Sequence, residues 1–67
     1  MIAKLRGIID QIGEDYVIID VSGVGYLVYC SSKVINKLST KGQLDEILIQ
    51  TIVTEDQITF SGFKEEN

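Results

Sequence analysis

The stretch SSKVINKLS, Ser31–Ser39, is the one segment of this chain that reads as helix. Ser31 or Ser32 can cap its start, because a serine hydroxyl accepts from a backbone N–H that the first turn leaves unpaired. Val34, Ile35 and Leu38 then share one face by the i+3 and i+4 spacing. The segment is barely two turns long, so it forms only if that face packs against something else. Everything around it is β-prone: proline is absent and β-branched residues are frequent. The fold therefore turns on how many strands lie on each side of it.

Upstream, Gly25–Cys30 and Tyr16–Val21 read as strands joined by a tight turn around Ser22-Gly23-Val24. Before them, MIAKLRGIIDQIG reads as one long strand. Gly7 lies in its interior, where glycine marks a bulge or a sharp bend. Downstream, TKGQ (40–43) is a loop, followed by strands over Glu46–Thr54 and Gln57–Phe63. With Glu55-Asp56 as the turn, Val53 faces Ile58, Thr51 faces Phe60 and Ile49 faces Gly62 on one side of that hairpin. The other side pairs Ile52 with Thr59, Gln50 with Ser61 and Leu48 with Phe63. The first side is coherently apolar. The second is mixed, which offers Leu48, Ile52 and Phe63 as contacts to another subunit or domain.

Three strands, a short helix and two strands, with a bent first strand, is the element order of an OB-fold. The predicted class is all-β with one small helix: a five-stranded Greek-key barrel over residues 1–63, the helix between strands 3 and 4. An SH3-like barrel is the competing architecture. Lys64–Asn67 (KEEN) reads as the start of a solvated linker.

Sixty-seven residues make at most one domain, and so short a chain buries only about 60% of its unfolded surface. Cys30 is the only cysteine, so no disulfide forms within the chain. With no histidine and no clustered Cys or Asp/Glu ligand set, neither a metal nor a cofactor is expected. Oligomerisation, or packing on a further part of a longer protein, is left as the source of extra stability. Six Lys+Arg against ten Asp+Glu give a net charge of −4, wrong for a stand-alone nucleic-acid binder that must neutralise phosphates. No run is apolar enough for a membrane span, and Lys4 and Arg6 lack the apolar segment that would make a signal peptide. A cytoplasmic protein with no membrane partner is expected.

Several stretches invite chemistry. GVGY, Gly23–Tyr26, suggests a phosphate loop, but a dinucleotide fingerprint needs a third glycine where Val28 stands, and a helix where a strand follows. It reads as a turn. Tyr16, Tyr26 and Tyr29 sit on strands 2 and 3, where OB-folds stack single-stranded bases. No basic residue between Gly7 and Ser32 is present to track a backbone, and Tyr26 and Tyr29, three apart, point to opposite faces. Structural tyrosines are the simpler reading. Cys30 reads as a small apolar strand-end residue. Glu55 and Asp56 resemble an acid/base pair only superficially: no pocket, nucleophile or metal ligand stands near them in sequence. Their oddity is conformational, because a two-residue hairpin turn favours Asn-Gly or Asp-Gly, which reach φ > 0.

MIAKLRGIID, VSGVGY, the CSS that opens the helix, and TEDQITFSGF together resemble the RuvA family's N-terminal domain, over residues 1–63. No single motif is diagnostic; the ordered set is specific. The resemblance implies an OB-fold in the DNA-binding subunit of the machine that drives branch migration of Holliday junctions in recombination and repair. It implies a homotetramer, a four-way DNA junction bound mainly through a helix-hairpin-helix domain, and a RuvB ATPase contacted by a third domain. It implies no catalysis by this subunit, since ATP-driven helicase work belongs to RuvB. It assigns Glu55 and Asp56 to the acidic pin at the junction centre, where four copies gather eight carboxylates. Repulsion of phosphates there would separate the strands and disfavour continuous duplex, over a range on the order of 10 Å.

The sequence departs from that pattern at Ala3, where the family usually has glycine, at Thr54, where it has arginine, and at Ser61, where it has tyrosine. The segments that would carry the second and third domains are absent, so the chain reads as a truncated piece or a naturally short form. The alternatives are an autonomous OB-fold that binds single-stranded nucleic acid through Tyr16, Tyr26 or Tyr29, and a pure oligomerisation module.

Overall fold

The structure, a computed structural model, describes residues 2–64. Its elements are β1 (Ile2–Ile12), β2 (Tyr16–Val21), β3 (Val24–Tyr29), α1 (Ser32–Ile35), β4 (Leu44–Val53) and β5 (Ile58–Phe63). The strands close into a barrel in the order β1-β2-β3-β5-β4. All neighbours are antiparallel except β3 and β5. With its helix between the third and fourth strands, this is the OB-fold expected from the sequence.

β1 is long because it serves two neighbours. It pairs with β4 up to Ile8↔Leu44, and from Ile8↔Asp20 onward with β2. The hand-over occurs at Ile8, which pairs with both, and Gly7 stands just before it. A Cβ on Gly7 would overlap the Asp20 carbonyl oxygen and meet Cγ2 of Ile19 and of Val21, each at 2.9 Å. Glycine is therefore required for close approach of β2. The bulge lies further on, between Ile9 and Gln11, where Asp10 is the unmatched residue. The sequence placed a bulge or sharp bend at Gly7; the bulge lies three residues on, and Gly7 is required for close approach instead.

The period-2 alternation puts Ile9, Val17, Ile19, Val28, Cys30, Ile47 and Ile49 in the buried core. Leu5, Val21, Tyr26, Val34, Ile35, Leu38 and Phe60 pack around them. The three residues predicted as the helix's apolar face thus all meet the core. The helix itself is shorter than predicted. Ser31 caps it, its Oγ accepting from Val34 N–H at 3.3 Å. After Ile35 the chain tightens into i→i+3 bonds, from Lys37 N–H to Val34 O and from Leu38 N–H to Ile35 O.

The β2–β3 connection is a two-residue turn. Ser22 and Gly23 both have positive φ, 54° and 90°. The Asp20 carboxylate accepts from Gly23 N–H at 2.7 Å, which fixes the turn from below. The β4–β5 register matches the sequence reading at every pair from Leu48↔Phe63 to Val53↔Ile58. β4 begins at Leu44, two residues earlier than predicted, because it follows β1 as far as Ile8.

Candidate functional site

Glu55 and Asp56 form the tip of the β4–β5 hairpin, and both are exposed. Among the described non-glycine residues only Ser22 has positive φ, so this turn does not use the geometry of the β2–β3 turn. Thr54 closes it instead. Its N–H donates to Gln57 O at 2.9 Å. Its hydroxyl donates to the same carbonyl at 3.2 Å and accepts from Gln57 N–H at 3.3 Å. The side chain thus adds two bonds to the backbone one, in a turn that needs no positive φ. Among the described residues no ion pair or hydrogen bond engages either carboxylate. The two charges therefore project into solvent side by side.

The shaft beneath this tip is unusually apolar for its exposure. Val53 and Ile58 stand directly opposite each other and are 69% and 66% exposed. Burial on the inward side increases with distance from the tip, through half-buried Thr51 and Phe60 to buried Ile49 and Gly62. On the outer side Leu48 and Phe63 are paired and half-buried, while Ile52 is 44% exposed. The three proposed contact residues thus share one face of the hairpin, with Gln50 and Ser61 between them.

The tyrosines do not form one stacking platform. Tyr26 turns inward against the core and meets Phe60, ring centroids 6.3 Å apart. Tyr16 and Tyr29 face each other across β2 and β3. The Gln11 amide donates to the Tyr16 hydroxyl at 3.0 Å. Cys30 is buried, and burial raises its thiol pKa, against a smaller opposing effect of the Gly62 backbone hydrogen bond. Among the described residues no group of His, Cys, Asp or Glu side chains is arranged to hold a metal ion.

A charged clasp was not foreseen from the sequence. Lys64 Nζ donates to Asp45 Oδ1 at 2.8 Å and to Glu46 O at 2.7 Å. Asp45 also accepts from the N–H groups of Ser39 and Glu46, at 2.8 and 2.7 Å. Desolvation pushes the Asp45 carboxyl upward, but the Lys64, Ser39 and Glu46 hydrogen bonds and the Lys64 charge together outweigh it, and its pKa is lowered. The clue was the hairpin register: one step past Leu48↔Phe63 brings Lys64 alongside this end of β4. Lys64, expected to begin a solvated linker, is held against the barrel; the remainder of that expected linker, residues 65–67, lies outside the described residues.

The chain's resemblances agree with this architecture. The family model of the RuvA N-terminal domain matches residues 1–62. The Holliday junction branch migration complex subunit RuvA of Afipia carboxidovorans is 52% identical over 64 residues, covering 96% of this chain and 31% of that protein. The RuvA subunit of Sinorhizobium fredii is 51% identical over 63 residues, covering 94% and 31%. That of Nitrobacter winogradskyi is 53% identical over 64 residues, covering 96% and 31%. The chain thus spans 31% of the length of these curated relatives.

Proposed function

The chain belongs to the RuvA N-terminal domain family, and on that premise we propose that it is the junction-centre scaffold of a Holliday-junction-binding subunit in branch migration. The observation that carries this reading is the pair of solvent-facing carboxylates of Glu55 and Asp56, held at a hairpin tip by Thr54 without any compensating cation among the described residues. In a homotetramer these tips converge on the crossover. They repel phosphates at the centre, while basic surfaces supplied by a downstream helix-hairpin-helix domain hold the arms. The domain orients and separates strands. It performs no bond chemistry, and ATP hydrolysis falls to a RuvB motor engaged through another domain.

Leu48, Ile52 and Phe63 take the contacts to a neighbouring subunit or to the downstream domain. Their shared face is apolar enough to bury and interrupted by Gln50 and Ser61, as at interfaces of moderate size. A cytoplasmic location fits work on chromosomal DNA; no helix among the described residues is long and apolar enough to cross a membrane.

The single-strand-binding alternative is weakened by the split tyrosines, since Tyr26 is committed to the core and Tyr16 to Gln11. A pure oligomerisation module would need no acidic tip. Native mass spectrometry of the chain joined to a relative's downstream domains, with and without a four-way junction, separates the three. The reading expects a tetramer that takes up the junction; assembly without uptake leaves the oligomerisation module, and preference for single strands leaves the alternative binder.

A further inference from the structure

β3 and β5 close the barrel over only two residue pairs, Val28↔Phe60 and Tyr29↔Ser61. β3, however, begins at Val24 and β5 at Ile58. The β5-facing edge of residues 24–27 therefore has no ladder partner among the described residues. Between the diverging strands lies a groove of about 320 Å³, lined by Gly25, Tyr26, Leu27, Tyr29, Ile58 and Phe60 among others. Leu27 and Tyr29 are each 44% exposed there. An unpaired strand edge beside an apolar groove is the geometry that accepts an extended peptide as an added strand.

The charge around the groove defines which peptide. Neither 7–32 nor 42–63 contains a single Lys or Arg. β2, β3, β5 and their turns are therefore without cations. Along the same elements stand Asp20 at the end of β2, Glu14 and Asp15 before β2, and Glu55 and Asp56 before β5. Because β5 runs parallel to β3, the Glu55-Asp56 turn lies at the β2–β3 turn end of the groove, and Asp20 at that end too. Glu14-Asp15 adjoins the other end, where the Cys30 N–H donates to Asp15 O. An apolar floor with carboxylates at both ends repels nucleic acid and attracts cations. Tyr29 adds an exposed aromatic face on which a guanidinium can stack.

We propose that the β3–β5 groove is a docking site for an extended, arginine-rich segment of a partner protein, bound by strand addition to residues 24–27. Alternate apolar residues enter the groove on Tyr26 and Phe60, and the basic residues between them meet the carboxylates at its ends. The proposal does not depend on junction binding, and its test involves no junction.

The probe is a fluorescein-labelled eight-residue peptide of alternating Arg and Val, titrated with the 67-residue chain and followed by anisotropy. Saturable binding is expected, weakening as salt rises, and absent for an alternating Glu and Val peptide. Leu27→Ser with Ile58→Ser, both at exposed positions, should weaken it about tenfold, as loss of two apolar contacts implies. A version of the probe N-methylated along one backbone edge should fail to bind while leaving the protein untouched. Unchanged affinity for the double variant or for the N-methylated probe overturns the proposal. So does preferential uptake of oligothymidine in competition, which would make the groove a nucleic-acid site. Failure of the probe to bind a chain that sediments as a dimer, with Leu27→Ser plus Ile58→Ser dissociating that dimer, would assign the groove to a second copy instead.

Discussion

Thr54 and Gln57 lock the acidic turn through three hydrogen bonds, two of which run through the Thr54 hydroxyl. That hydroxyl adds two bonds to a turn that Glu55-Asp56 enter without positive φ, so neither residue is strained there. Thr54→Val keeps shape and branching but removes both side-chain bonds. The loop is exposed, so water compensates in part and the loss of stability should be small, roughly 0.5–1 kcal/mol. The local effect should be larger than the global one: amide exchange at Gln57 should accelerate clearly while core amides of β1 and β2 stay protected. Equal acceleration throughout would show that the turn is not closed locally by Thr54.

Gly7 and Gly62 are both buried, but for different reasons. A Cβ on Gly7 meets a backbone carbonyl, that of Asp20, which cannot move without breaking the β1–β2 ladder. On Gly62 it meets side-chain atoms: Ile47 Cδ1 at 2.7 Å, Val28 Cγ1 at 2.8 Å and Cys30 Sγ at 3.0 Å. Ile47 can change rotamer; the Asp20 carbonyl has no such freedom. Gly7→Ala should cost roughly 3 kcal/mol or more and Gly62→Ala about 1–2 kcal/mol. Urea unfolding of the two variants gives the order directly, and Gly62→Ala as the worse of the pair would contradict the argument.

The Asp45–Lys64 clasp makes stability depend on acid. Asp45 has a lowered pKa when folded, so the folded state holds the carboxylate charged more firmly than the unfolded state does. Its contribution is complete above the ordinary aspartate range and disappears as pH falls through the lowered folded value. Asp45→Asn should destabilise the chain by about 1–2 kcal/mol at pH 7, because Lys64 loses its partner and two backbone N–H groups lose a charged acceptor. Thermal unfolding of parent and variant should draw together as pH falls below the ordinary aspartate range and through the lowered folded value. A difference that stays constant from neutral pH to well below the ordinary aspartate range would exclude the clasp as its cause.

The sequence was most informative where one periodicity runs unbroken. The β4–β5 register follows from counting outward from Glu55-Asp56, because a two-residue turn leaves only one pairing that keeps Ile49 and Gly62 inward. The capped helix was legible for a similar reason, since Ser31 and three apolar residues at helical spacing left few readings. Less legible was anything set by two distant strands meeting. Gly7 looks like a bulge in sequence, yet its role is decided by the Asp20 carbonyl of another strand. The open edge of β3 is invisible too, because where β3 and β5 diverge depends on barrel closure rather than on either strand's own pattern. At the tip, the sequence marks Glu55 and Asp56, whereas Thr54 shows only as a departure from arginine; its part in closing the turn depends on where its hydroxyl meets Gln57.

Taken alone, the 67-residue chain should bind duplex DNA very weakly at physiological salt. Its net charge of −4 gives little counterion release, and its cations sit on β1, on α1 and the loop after it, and at Lys64. Of these, Lys64 is engaged by Asp45, and Lys4 lies 3.6 Å from Glu46. Fluorescence anisotropy with a labelled duplex should show no saturation at micromolar protein and a shallow salt dependence. Tight, steeply salt-sensitive binding would mean that β1 and α1 present a basic face strong enough to act without a second domain.

The acidic tip gives the most direct test of the junction reading. Joined to a relative's downstream domains, the chain should be compared with Glu55→Gln plus Asp56→Asn, which removes two charges per copy and nearly preserves volume. Because neither carboxylate is paired among the described residues, stability should change by no more than roughly 0.5 kcal/mol. Junction affinity should hold or rise, since repulsion at the crossover is relieved. Discrimination against plain duplex should fall, because continuous phosphates no longer meet a negative barrier. The contrast should be widest at low salt and shrink as screening shortens the reach of the charges. Junction and duplex affinities at two salt concentrations decide it. If the neutral variant loses junction affinity at low salt while duplex affinity is unchanged, the carboxylates make favourable contacts, and Glu55 and Asp56 do not act by repelling DNA.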